Sequence, residues 1–252
     1  MSVLLYEKRD HVAHVTLNRP EKLNAINIEM RDSLRQAFIQ VRDDPDVWVA
    51  IVAGAGRAFS SGHDLGELHA EGRTPSPGWD QPFFPLPLKV WKPLIAAIDG
   101  YAVAGGLSLA LECDIRVCTE RSFFANTEHR IGRLADLPPL AEMMPMGNAL
   151  YMTLTGAQIP ASEALRWGLV YKVLPDKEAM MQEAQRIAEE IKMCAPLAVQ
   201  AVKRVFYETQ GLPPEHVDRM VKALDPLIMQ TEDALEGPRA FVEKRKPLWK
   251  AR

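Results

Sequence analysis

Near the N-terminus Ala13, Val15 and Leu17 alternate with polar neighbours. Arg9-Asp10 separates them from the preceding VLLYEK, which predicts a β-hairpin. The period then changes. Met30, Leu34, Ala37, Phe38 and Val41 recur at helical spacing behind Asn27, a residue type that caps helices by accepting a backbone N–H. RDDPD (42–46) ends that helix, because proline has no N–H to continue it. The stretches VWVAIVAG (47–54), PLIAAIDG (93–100) and DIRVCTE (114–120) read as buried strands. Strands separated by helices predict an α/β core.

From about residue 148 the pattern is mostly helical. ASEALRWGLV (161–170) is a short helix stopped at Gly168, followed by the strand-like LVYKVLP. Amphipathic helices are predicted over 176–194, 196–210 and 213–230, with 232–246 expected in two pieces. The chain therefore divides into an α/β core, residues 1–195, and a helical C-terminal portion, residues 196–252. The segment 74–93 carries six prolines and excludes a regular helix in its first part. Its Trp79, Phe83 and Phe84 either line an apolar pocket or pin the loop to the core.

Composition narrows the function classes. The 252 residues are 47% hydrophobic and 25% charged, an ordinary globular balance. A net charge of -3 offers no basic field for nucleic acid. No apolar run is long enough to span a bilayer, and MSVLLYEKRD lacks the features of a secretion signal. Cys113, Cys118 and Cys194 are an odd set without metal-ligand spacing. They read as buried thiols in a reducing, cytoplasmic setting.

Glycine loops hold the candidate chemistry. VAGAGRAF (52–59) places Gly-Ala-Gly after a strand, but SSG (60–62) interrupts any following helix, so it does not read as a dinucleotide fingerprint. GLSLA (106–110) resembles a nucleophile elbow centred on Ser108, with His63, His129 and His216 as available bases. A more economical reading joins SSGHDL (60–65) and AVAGGLSLA (102–110), which each follow a buried strand. Small residues there let two backbone N–H groups approach one oxygen, forming an oxyanion hole for a thioester enolate.

The chain resembles the enoyl-CoA hydratase/isomerase, or crotonase, family. The resemblance is carried in order by NRPEKLNA (18–25), RAFSSGHDL (57–65), KPLIAAIDGYAVAGGLSLALECDI (92–115), LTGAQIPASEALRWGLVYKV (154–173) and FVEKRKP (241–247). It implies a spiral core of β-β-α turns and a helical portion that builds a homotrimer or hexamer. It also implies that the oxyanion amides belong to His63 and Gly105. The coenzyme A moiety is expected near Lys22, Leu23, Ala25, Asp64 and Leu65, with Phe241 and Lys244 reaching it from a neighbouring subunit. Coenzyme A enters as part of the substrate, and no separate cofactor or metal is implied.

The departures from the family pattern bear on the reaction. Hydratases of this family use two glutamates twenty positions apart. The second matches Glu128, while Ser108 stands in the first position. A hydroxyl of ordinary pKa does not replace a carboxylate as base. ADLPP (135–139) replaces the usual glycine-rich segment and places Asp136 where the dienoyl-CoA isomerase branch carries a catalytic aspartate. The dehalogenase branch has its nucleophilic aspartate there too, but with Trp in place of Glu128. Glu128 and Asp136 are thus expected to move protons along the acyl chain, which favours double-bond isomerisation. Hydration or dehydration is the alternative, and a silent CoA-binding scaffold a further one. Arg130 and Arg133 either tune those carboxylates or face solvent.

Overall fold

The computed structural model describes residues 2–71, 82–134 and 140–252. The N-terminal hairpin pairs β1 (Leu4–Arg9) with β2 (Val12–Leu17). Its turn is made by Asp10 and His11, both with positive φ. Helix α1 (Ile28–Asp43) starts where expected, with Asn27 Oδ1 accepting from the Met30 N–H. The three predicted buried strands are β3 (Val49–Gly54), and, separated from it by other elements, Leu94–Ile98 and Ile115–Thr119.

Between these strands run shorter ones, which the hydrophobic pattern did not reveal. In chain order after β3 come β4 (Ala58–Ser60), α2 (Leu65–Glu71), β5 (Leu94–Ile98), β6 (Tyr101–Val103), α3 (Gly105–Leu111), β7 (Ile115–Thr119) and β8 (Phe123–Ala125). A 3-10 helix (Glu128–Ile131), α4 (Leu140–Met143), α5 (Met146–Thr155), β9 (Ile159–Pro160), α6 (Ala161–Arg166) and β10 (Lys172–Leu174) follow. The strands form a six-stranded sheet, β1-β2-β3-β5-β7-β10, and a four-stranded sheet, β4-β6-β8-β9. From β2 to β10 neighbours in the first sheet are parallel, as are β4, β6 and β8 in the second. Each spiral turn thus runs one strand in each sheet and then a helical segment.

Strands β3 and β5 lack alternation because both faces are covered. Ala50, Val52, Leu94, Ala96 and Ile98 pack toward α1 and the second sheet. Val49, Ile51, Ile95 and Ala97 pack against Met180, Ala184, Ile187 and Ala188 of α7 (Lys177–Lys192). Helix α8 (Pro196–Thr209) is fastened to this core by Lys203, whereas α9 (Pro214–Met229) buries no residue. The predicted break within 232–246 is absent up to Val242. Helix α10 (Glu232–Val242) runs through Pro238, and the tail folds back so that Asp233 accepts from the Lys250 and Ala251 N–H groups. No described helix is long and apolar enough to cross a membrane.

Candidate active site

The spiral brings three chain segments to one edge. Strands β4, β6 and β8 are parallel neighbours, so the segments leaving their C-terminal ends lie side by side. The first carries His63, the second Gly105 and the third Glu128. Each comes from a different turn, so no sequence spacing within one element exposes the grouping.

Glycine is required where the segments touch. A Cβ on Gly106 would stand 2.5 Å from the Ser60 carbonyl oxygen. One on Gly62, whose φ is +87°, would stand 3.0 Å from the Gly105 nitrogen and 2.8 Å from the Ala104 Cβ. Ile26 forms a bridge with the His63 stretch: its N–H donates to Gly62 O at 2.8 Å, and its carbonyl accepts from the Asp64 N–H at 3.0 Å. Strand alternation therefore turns the His63 N–H to the opposite side from Ile26. Gly105 is the first residue of α3, and helix geometry leaves its N–H without an intrahelical acceptor. Two backbone donors thus stand on adjacent loops, the arrangement an oxyanion hole needs.

Glu128 is 9% exposed, with its Oε2 accepting from the Thr127 N–H at 3.0 Å. Ser108 is also buried, one turn into α3, with its hydroxyl 3.5 Å from the Ala104 carbonyl oxygen. The nucleophile-elbow expectation fails on this geometry. The strained residue of the strand-to-helix turn is Ala104, at φ 53° and ψ −128°, while Ser108 lies inside the helix. Asp136 falls outside the described residues, as does Trp79.

The charge cluster around Glu128 divides. Arg130 Nη2 donates to Thr155 O at 2.9 Å, and its guanidinium covers Gly156 at the end of α5. His129 and Arg133 are exposed. Arg130 therefore fastens a helix end.

The loops expected to hold coenzyme A are tied together. The Ser61 N–H donates to Leu23 O at 3.0 Å, next to the Ile26 bridge. Lys22 ends a 3-10 helix (Pro20–Lys22), and Leu23 and Asn24 both have positive φ. Arg19, which sequence reasoning passed over, donates to Ala25 O at 2.6 Å and pairs with Asp64 at 3.2 Å. Asn24 is completely buried; its Nδ2 bonds the Ala55 and Ala58 carbonyls. Only its position inside NRPEKLNA hinted at these roles. Leu65 opens α2 and is exposed. Asn126, 2% exposed and two residues before Glu128, has an amide nitrogen with no hydrogen-bond partner among the described residues.

Phe241 lies in the last turn of α10, and Lys244 two residues beyond its end. Phe241 is 85% exposed on α10, and that helix makes its polar contacts with its own C-terminal tail. Phe83 and Phe84 are buried in the core cluster, with ring centroids 4.2 Å apart, so they pin their loop. Burial of Cys113 and Cys118 pushes both thiols up to about 12, but Cys194 is exposed, contrary to expectation. Helix α7 ends at Lys192, which leaves Cys194 in the turn beyond it. Among the described residues no cluster of His, Cys, Asp or Glu is arranged to hold a metal ion.

Comparison with known proteins agrees with this geometry. The family model described as enoyl-CoA hydratase/isomerase matches residues 7–252. Carnitinyl-CoA dehydratase from Salmonella typhi is 38% identical over 252 residues, covering 96% of this chain and 95% of that protein. The crystal structure of an enoyl-CoA hydratase from Mycobacterium tuberculosis H37Rv superposes with a TM-score of 0.91 at 35% identity, with both chains covered completely. That of an enoyl-CoA hydratase from Mycobacterium marinum gives 0.91 at 34% identity, again over both whole chains.

Proposed function

Since the chain belongs to the enoyl-CoA hydratase/isomerase family of acyl-CoA enzymes, we propose that it adds water to, or removes it from, the C2–C3 bond of an acyl-CoA thioester. The observation that carries this reading is the convergence of His63, Gly105 and buried Glu128 from three successive spiral turns. In the dehydration direction the Glu128 carboxylate takes the C2 proton, and the electron pair moves onto the thioester oxygen. The two amides stabilise that oxyanion. When the carbonyl re-forms, the C2–C3 double bond closes, the C3 hydroxyl leaves, and the proton held by Glu128 goes with it as water. One carboxylate suffices for this shuttle, with the Ser108 hydroxyl as a neutral hydrogen-bonding partner for the oxygen at C3. Lys22, Leu23, Ala25, Asp64 and Leu65 are proposed to line the coenzyme A path. No cofactor beyond the substrate's own coenzyme A enters these steps.

The names of the similar dehydratase and hydratases weight this reading over isomerisation, which the sequence alone had placed first. Isomerisation stays as a second reading because of Ser108. Moving a double bond needs only proton relocation, by Glu128 and Asp136, and no second carboxylate to hold water. A panel of enoyl-, dienoyl- and 3-hydroxyacyl-CoA thioesters incubated in heavy water separates the two by mass spectrometry. Gain or loss of water supports the first. Deuterium uptake with no other mass change supports the second. No change in any substrate refutes both and favours a silent CoA binder.

A homotrimer or hexamer is part of the proposal. Helix α9 has no fully buried residue, and Phe206, Leu227, Met229, Leu235 and Phe241 are exposed apolar side chains on the C-terminal helices. A neighbouring copy that covered them would also bring Phe241 and Lys244 to the coenzyme A path. A monomer in sedimentation at micromolar concentration would remove that assignment.

A further inference from the structure

Ala104 holds φ 53° and ψ −128°. This is the first central position of a type II′ turn, which glycine adopts freely and an alanine only under strain. Its ψ sets the plane of the Ala104–Gly105 peptide, and therefore the direction of the Gly105 N–H. Turning that peptide over would bring Ala104 toward the left-handed helical well, which a Cβ tolerates better. It would also reverse the direction of the Gly105 N–H and put a carbonyl oxygen in its place. The competent orientation is thus the strained one.

Two contacts oppose the turn. The Ser108 N–H donates to the Ala104 carbonyl at 3.0 Å. The His63 imidazole lies over Gly105, with Cε1 3.0 Å and Nδ1 3.1 Å from where a Cβ would stand. Gly105 has no side chain to anchor it, so the ring supplies the packing that a side chain would. We infer that the His63 side chain is a positioning residue that holds the Ala104–Gly105 peptide in its oxyanion-binding orientation, in addition to whatever its own amide contributes. This inference rests on the oxyanion reading of the proposed function.

The test compares wild type with His63→Ala, His63→Phe, and His63→Ala combined with Ala104→Gly. Two probes are titrated: a 3-ketoacyl-CoA, which binds through an enolate oxygen, and the matching thioether, which lacks the thioester carbonyl. The ratio of their affinities reads the oxyanion site without turnover. His63→Ala should lower that ratio about tenfold, the scale of one strained backbone conformation. Its kcat should fall similarly while KM changes little, because coenzyme A is gripped elsewhere. Adding Ala104→Gly should restore most of both, since glycine accepts the same angles at little cost. His63→Phe keeps a planar ring and should recover part of the ratio lost in His63→Ala. A wild type that shows no preference for the carbonyl-bearing probe refutes the oxyanion reading itself. A preference that survives His63→Ala, or is lost without recovery on Ala104→Gly, or falls as far with Phe as with Ala, overturns the positioning role while leaving that reading intact.

Discussion

Lys203 of α8 meets Asp114 at 2.8 Å, and its ammonium also donates to the Lys92 carbonyl at 3.0 Å. The lysine side chain is 6% exposed and the aspartate 18%. Asp114 Oδ2 in turn accepts from the Leu94 N–H at the start of β5. One side chain thereby fastens the first helix of the C-terminal portion to two central strands. Removing only the cation leaves a largely desolvated carboxylate unpaired. Lys203→Met should cost about 3 kcal/mol, the low end for breaking a buried pair because Asp114 keeps some solvent. The double variant Lys203→Met, Asp114→Asn should recover part of that loss. Urea unfolding at neutral pH measures both, and a single-variant cost under about 1 kcal/mol would contradict the buried-pair account.

Two glycines in helices should respond in opposite directions. A Cβ on Gly106 meets Ser60 backbone at 2.5 Å, where neither α3 nor β4 has a flexible side chain to yield. Gly106→Ala should therefore destabilise by about 1–3 kcal/mol and lower turnover, because it pushes the His63 and Gly105 loops apart. Gly147 in α5 has nothing among the described residues within 4 Å of its Cβ position. Gly147→Ala should be neutral or stabilising by up to about 1 kcal/mol, chiefly through the unfolded chain. Thermal unfolding that ranked the two variants equally would remove the close-approach argument.

The larger sheet was legible because its central strands are long and covered on both faces. Val49–Gly54 and Leu94–Ile98 therefore carry continuous apolar runs, and α1 shows its period and its cap together. The smaller sheet was not. Its strands are two or three residues long, too short for a period to register, yet they set the site by placing three loop ends together. Glu128 was legible as one carboxylate in a charge cluster, but not as the buried one. What separates it from exposed His129 and Arg130 is the turn after β8, a tertiary feature. The continuous α10 was also missed, because Pro238 sits in its middle and reads as a break.

Acid should expose a different interaction. A hydrogen bond from Arg186 holds the Glu183 carboxyl down to about 2, with Lys172 assisting against the cost of burial. In an unfolded chain the same group titrates near 4.3, about the ordinary glutamate value. Its folded pKa is therefore depressed. The stability it contributes is complete above the unfolded value and is lost as pH falls toward about 2. Glu183→Gln should be less stable than wild type at neutral pH, and the gap should close on acidification. Chemical unfolding of both proteins at about pH 7 and about pH 3 measures it. A gap that stays constant or widens in acid would mean that the carboxylate's charge is not the source.

The carboxylates offer the sharpest separation of mechanisms. Glu128→Gln keeps the size and the buried position but has no useful basicity. It should lower turnover about 10²- to 10⁴-fold, the usual range for losing a positioned acid–base group. Exchange of the C2 proton in heavy water should fall in parallel. Asp136→Asn discriminates between the two readings. In dehydration by a single shuttle it should alter rate little. In isomerisation it should leave C2 exchange intact while blocking the migrated product, because the second proton transfer is lost. Ser108→Glu completes the set by rebuilding the paired glutamates found in the family's hydratases, provided the buried first turns of α3 admit the larger side chain. If Ser108 already serves as partner to the C3 oxygen, wild type should hydrate a short enoyl-CoA, and Ser108→Ala should slow it. If Ser108 only fills space, Ser108→Ala should match wild type, and water addition should emerge only with the glutamate. A Glu128→Gln protein that retained full C2 exchange would remove the carboxylate from both schemes at once.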